Sequence, residues 1–208
     1  MNTSKTKVLT EEAIKNSPLN DNIKQLLLSI KRGEKLIPLT SDIMSKNVLS
    51  PDLHPERFDF LVQRVMKNAN LIADKSCTNE IPLENYESKK LITDISAWLA
   101  DSELATIEMQ ALAQEFIFKR ADLLTSRMLM LQYSAKNGQK GTVNFDNVPG
   151  VVLVVLMKES PNIFKSHDSS RYIHRVTNAK SDTGMTFPLL RQIAFVQLDS
   201  RVNKDSEK

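Results

Sequence analysis

The sequence predicts an α/β or α+β domain organised on a mixed sheet, and three features lead to that reading. Apolar residues recur at helical spacing in the first third of the chain. Residues 92–110 alternate in hydrophobicity about a polar turn, and residues 148–157 form a short, β-branched apolar run. Helices, then a hairpin, a long helix and further strands make up the element order of a sheet flanked by helices.

Taken in order, Thr10-Glu11-Glu12 caps a helix that runs to residue 15. A second helix over 21–31 carries Ile23, Leu26, Leu27 and Ile30 at helical spacing, and Gly33 stops it. Ser41-Asp42 begins a short helix through Lys46, punctuated by Pro51 and Pro55. A helix over 55–69 then sets Phe58, Leu61, Val62 and Val65 on one stripe for the core. From Asn70 the period changes, with short extended segments at 71–72 and 81–83. Residues 111–136 read as one long helix without Pro or Gly, closed by Asn137-Gly138. The run at 148–157 has the composition of a strand buried on both faces, and 171–177 and 193–198 read as further strands. The expected organisation is an N-terminal helical extension at 1–37, a main domain at 38–200 and a disordered charged tail at 201–208.

Composition narrows the functional classes. The 208 residues suffice for one ordinary domain with a sizeable core. Five glycines and no G-x-G-x-x-G or G-x-x-x-x-G-K-[ST] pattern exclude the Gly-rich nucleotide-binding loops. The formal charge of +3 permits a polyanionic partner without requiring one. The one cysteine, Cys77, excludes an intrachain disulfide and reads as an ordinary reduced thiol. His54, His167 and His174 are too few for a Cys/His zinc cluster. Residues 1–10 are polar, unlike a signal peptide, and the longest apolar run is about half of what a bilayer requires. The expectation is a cytoplasmic protein without a membrane span.

The hairpin carries the chemistry. Centred on Asp101, it sets Asp94 opposite Glu108. One face then holds Thr93, Ile95, Ala97, Leu99, Ala105, Ile107 and Met109. The other holds Asp94, Ser96, Trp98, Leu104, Thr106, Glu108 and Gln110, and is expected to be wet. Opposed residues have Cβ atoms about 4.5–5.5 Å apart. Two carboxylates that close need a cation, a proton or a basic partner. A hard divalent ion such as Mg²⁺ satisfies both through oxygen. Gln110, two residues on, can orient a water or a phosphate oxygen but brings no charge. On spacing alone, a solvated face with Asp94 paired to Lys89 or Lys90 and Glu108 to Lys119 is the plainer reading. Trp98 could stack on a base, although burial against a helix is the simpler role.

A series of elements, in order, resembles the PD-(D/E)XK nuclease family transposases, the recombination-promoting nuclease group. Ser41-Asp42-Ile43 with Lys46 resembles the family's early Asp-x-x-(Phe)-Lys element, followed by His54-Pro55-Glu56. Lys89-Lys90 precedes Asp94-Ile95, and Ile107-Glu108-Met109-Gln110 matches the I-E-M-Q form. Arg120 matches an arginine on the following helix. Gly141, the segment from Val148-Pro149 to Lys158, and Ser181-Asp182-Thr183-Gly184 resemble the later elements. The likeness spans roughly 38–200. Thr93 stands where the motif has Pro, and Met44-Ser45 stand where an aromatic is expected.

The resemblance implies a restriction-endonuclease-like core, with a mixed central sheet flanked by helices. It also implies Mg²⁺-dependent hydrolysis of DNA (Mn²⁺ substituting) and a link to recombination or mobile elements. Asp94 and Glu108 would then be the metal-binding carboxylates and Gln110 would occupy the lysine position, with Asp42 and Arg120 as auxiliary residues. The carbonyl of Met109 could complete the metal site, and Lys119 or Arg120 would supply the charge that Gln110 lacks. Lys119, Arg120 and Arg127 form a modest basic stripe suited to DNA phosphates. Cutting both strands is compatible with a homodimer, although no interface signal is visible. Two alternatives are a catalytically inactive remnant that binds DNA or protein, and a nuclease acting on RNA.

Overall fold

A computed structural model of the chain describes residues 10–76, 80–81, 91–92, 94–133, 145–167 and 171–199, with 76, 80–81 and 91–92 described by backbone alone. The chain divides into two compact units, Met1–Pro38 and Leu39–Lys208.

The first unit holds α1 (Glu11–Lys15) and α2 (Asp21–Lys31). Each begins at a polar cap: Thr10 Oγ1 accepts the Ala13 N–H at 3.1 Å, and Asn20 Oδ1 accepts the Ile23 N–H at 2.9 Å. Gly33 follows α2 at φ +74°, the left-handed position that favours glycine.

The second unit contains α3 (Asp42–Val48), α4 (Pro55–Met66), β1 (Ala73–Ser76), β2 (Glu80–Ile81), β3 (Leu91–Ile92), β4 (Ile95–Leu99), β5 (Leu104–Gln110), α5 (Ile117–Tyr133), β6 (Val151–Met157), α6 (Asn162–Lys165), β7 (Ile173–Lys180) and β8 (Thr186–Gln197). Six strands form one mixed sheet in the order β1-β4-β5-β6-β8-β7, while β2 and β3 pair separately. The centre is parallel (β5, β6, β8) and both flanks are antiparallel. A parallel neighbour requires a crossover, and α5 provides it between β5 and β6. All seven residues of β6 are buried, as its continuous apolar sequence predicts for a central strand covered on both sides.

The sheet separates two apolar layers. On one face Phe58, Val62, Val65 and Met66 of α4 pack on Ile95, Ala97, Ile107, Val152 and Val154. On the other, Ile117, Ala121, Leu124 and Met128 of α5 and Phe164 of α6 pack on Leu104, Val151, Leu153, Val155 and Phe195. The second layer corrects one expectation: the polar face of the hairpin is not wet. Ser96 and Thr106 are buried there, their hydroxyls paired at 2.9 Å. The apolar stripe of α5 covers that face, and pairing lets the two hydroxyls enter it without an unmet hydrogen bond.

Several element boundaries also differ. Helix α3 runs on to Val48, past Lys46, and Ser41 caps it, its Oγ accepting the Met44 N–H at 3.3 Å. Helix α4 ends at Met66 because Lys67 turns left-handed at φ 56°. Helix α5 starts at Ile117, not 111. The parallel ladder continues through Gln110, whose carbonyl accepts the Lys158 N–H at 2.9 Å, and the chain must turn before a helix can begin. Extended structure begins at Ala73 and Glu80, where 71–72 and 81–83 were expected. Strands β7 and β8 replace the shorter 171–177 and 193–198. Only the last four residues of β8 are buried; the first two-thirds are exposed or half-buried despite Phe187, Leu189 and Leu190. Cys77, Asn137-Gly138 and the tail at 201–208 lie outside the described residues. Among the described residues, no helix is long and apolar enough to cross a membrane.

Candidate active site

The hairpin register is the one its alternation predicts. Ile95 lies opposite Ile107 and Ser96 opposite Thr106, so the next step along the ladder brings Asp94 to Glu108. Asp94 sits just outside β4, and there the two acids interlock through the backbone. The Asp94 N–H donates to Glu108 Oε1 at 3.0 Å, and the Met109 N–H donates to Asp94 Oδ2 at 2.7 Å. Each carboxylate is therefore fixed by the strand that carries the other.

Glu108 is 5% exposed and Asp94 half-buried. Burial and the nearby Asp94 charge push the Glu108 carboxyl up to about 7. The Asp94 N–H and the Arg120 guanidinium oppose that rise. Arg120, in the first turn of α5, donates from Nη2 to Glu108 Oε2 at 3.2 Å. Arg120 rather than Lys119 pairs with Glu108.

Lys46 is the residue that sequence reasoning did not set beside the acids. It was noted only as part of an early motif. Its ammonium pairs with Asp42 Oδ1 at 2.7 Å within α3. Asp42, and after it the charges of Asp94 and Glu108, hold the ammonium above the ordinary lysine range. Val48 and Leu49, at the end of α3, pack into the same layer as Met109 of β5, which seats α3 on the strand that carries Glu108. The available signal was the i, i+4 Asp–Lys spacing on α3 together with the missing cation at position 110.

The remaining candidates are more dispersed. Gln110 lies two residues beyond Glu108, but its Nε2 donates to the Leu112 carbonyl at 2.9 Å, away from the acids. Lys119 is exposed on α5. Arg127 is half-buried with its Nε enclosed, so it does not extend an exposed basic stripe. Trp98 is half-buried against the α5 layer, which is the packing role. Thr93, Lys89, Lys90 and Gly141 lie outside the described residues.

The donor set suits a hard divalent cation. Two neighbouring carboxylates share a site where burial and their mutual charge disfavour ionisation of Glu108, and Mg²⁺ is commonly held by one or two carboxylates with water and substrate oxygens completing its shell. Among the described residues, no group of three or more His, Cys, Asp or Glu is gathered for a denser metal centre. A family model for the PD-(D/E)XK nuclease family transposase matches residues 58–208. No curated protein and no solved structure matches the chain.

Proposed function

Because this chain belongs to the PD-(D/E)XK nuclease family transposases, we propose that it hydrolyses phosphodiester bonds in DNA, with Asp94 and Glu108 as metal-binding carboxylates. The six-stranded mixed sheet flanked by helices is consistent with the restriction-endonuclease-like fold of that class. The observation that carries the reading is the interlocked Asp94–Glu108 pair, one member of which is pushed up to about 7.

Asp94, Glu108 and the Met109 carbonyl would hold Mg²⁺, or Mn²⁺ in its place. The ion would polarise the scissile phosphate and lower the pKa of a bound water. The protein's own groups do the rest. Backbone N–H groups orient both acids, so neither needs to reorganise when substrate arrives. Arg120 stands beside Glu108 and can turn to a phosphate oxygen. Lys46 offers the positive charge that Gln110 lacks, reaching the site from α3 instead of from β5. Asp42 is then a positioning residue for Lys46. Lys119 is an outer phosphate contact. We also propose a cytoplasmic location and a role in recombination or transposition of mobile elements, with a homodimer as the assembly that would cut both strands.

Plasmid cleavage tests this. The protein is expected to nick or cut DNA with Mg²⁺ or Mn²⁺ and not with EDTA. Asp94→Ala and Glu108→Ala should each abolish cutting with an unchanged circular dichroism spectrum. Lys46→Gln should lower the rate by about 10²-fold while Mn²⁺ binding persists. Cutting that survives both acid substitutions rejects the site.

A second reading is a catalytically inactive remnant that binds DNA or protein. It is favoured by Gln110 at the lysine position, with its amide turned to Leu112. Mn²⁺ titration separates the two, since a working site binds the ion and loses it in Asp94→Ala. Parallel assays on RNA decide the nucleic-acid class.

A further inference from the structure

A second polar cluster lies on the row of residues that crosses the sheet from Glu108. Glu108 is opposite Val155, Val155 opposite Phe195, and Phe195 opposite His174. The four residues also share a face. Val155 and Phe195 belong to the layer beneath α5 and α6, Glu108 reaches Arg120 of α5, and the His174 ring packs on Phe164 of α6 at 5.2 Å. Neighbouring strands lie about 4.8 Å apart, so three intervals place His174 roughly 14 Å from Glu108.

At His174 the surface opens into a cavity of about 330 Å³ lined by His167, Arg171, Ile173, His174 and Arg175. Four of these five are basic residue types, and no carboxylate lines the cavity among the described residues. Gln197 Oε1 fixes His174 Nε2 at 3.0 Å, and the His167 ring stands edge-on to His174 at 5.9 Å. Arg175 donates to the Val65 carbonyl on α4, and His167, Arg171 and His174 are the other basic residues that line the cavity. His167 and Arg171 are exposed.

The interval between the acids and this cavity is aromatic. Phe118 of α5 packs on Phe164 and Phe195, both at 5.3 Å, yet remains 43% exposed. Arg120, Phe118 and Arg171 therefore give a sequence of cation, ring and cation, the composition with which proteins follow a nucleic-acid strand. The cavity is larger than one inorganic phosphate requires, which favours a phosphodiester with its flanking sugars.

We infer that the His167–Arg171–His174 cavity binds a backbone phosphate of the nucleic-acid strand a few nucleotides from the bond held at Asp94 and Glu108. Arg171 supplies the charge, the two imidazoles supply hydrogen bonds, and Phe118 offers a stacking face to an intervening base. This inference rests on the nuclease reading of the site but is tested without cutting.

The experiment uses the full chain in EDTA with a labelled single-stranded oligonucleotide, and fluorescence anisotropy is measured over a range of salt. Arg171→Gln combined with His167→Gln is expected to weaken binding about tenfold and to lower the slope of log K against log salt by about 1. Phe118→Leu should weaken binding without changing the slope, because stacking carries no counterion. Lys24→Gln, in the first unit, should change neither. In a parallel NMR titration the oligonucleotide should move the ring resonances of His167 and His174 and leave those of His54 in place.

Unchanged affinity and slope in the Arg171/His167 variant overturn the inference, as does a wild-type chain that binds no oligonucleotide. Inorganic phosphate that moves the same resonances as strongly as the oligonucleotide overturns it in favour of a free-phosphate site. A wild type that binds as expected but never cuts refutes the nuclease reading and leaves the cavity assigned. Normal cutting with an inert cavity does the reverse.

Discussion

At the scale of single residues, the raised carboxyl of the buried Glu108 makes a prediction about stability. The carboxyl rises from 4.5 to about 7 in the fold. Between those values the folded chain holds a proton that the unfolded chain has released. Without metal, stability therefore falls as pH rises from about 4.5 to about 7, by at most roughly 1.4 kcal/mol per pH unit. Urea unfolding in EDTA across this range should show the slope, and Glu108→Gln should remove it. An identical profile in that variant refutes the assignment. The pairing of Asp94 with Glu108 was legible in the sequence because a period of two and a polar turn at Asp101 fix the register. The place of Lys46 was not. Its i, i+4 partner Asp42 is written locally, but its approach to two acids about fifty and sixty residues later in the chain depends on how α3 settles beside β5.

Elements report how local sequence and neighbouring structure compete. The hairpin turn forces Ser102 to φ 71°, with its N–H donating to the Leu99 carbonyl at 2.9 Å. A side chain is strained there and glycine is not, although glycine loses more freedom on folding. Ser102→Gly is expected to stabilise the chain by up to about 1 kcal/mol, measured as a shift in denaturant midpoint at constant m. A loss of stability would contradict that strain. The turn could be placed from sequence, but the start of α5 could not. Residues 111–116 lack helix breakers, and only the continuation of the parallel ladder through Gln110 explains why the helix waits until Ile117.

For the whole molecule, the sequence conveyed a mixed sheet but not its strand order. Strand β6 announced itself by seven consecutive buried apolar residues, whereas β8 hides most of its length behind exposed side chains and Pro188. The burial of Ser96 and Thr106 was also illegible, because it depends on a helix arriving from the following crossover. The division at Pro38 makes a further prediction. A chain that begins at Leu39 should keep the sheet's circular dichroism signature and melt in one cooperative transition. Loss of that transition would mean that the first 38 residues are needed for the second unit to fold.

The three parallel strands finish level with one another, at Gln110, Met157 and Gln197. Connections that leave from such a shared rim lie on the surface and accept substitution and insertion more readily than the ladder beneath them. Substitutions in the exposed residues that follow Gln110 and Met157 should therefore be tolerated better than substitutions in the ladder, and should leave the paired acids in place.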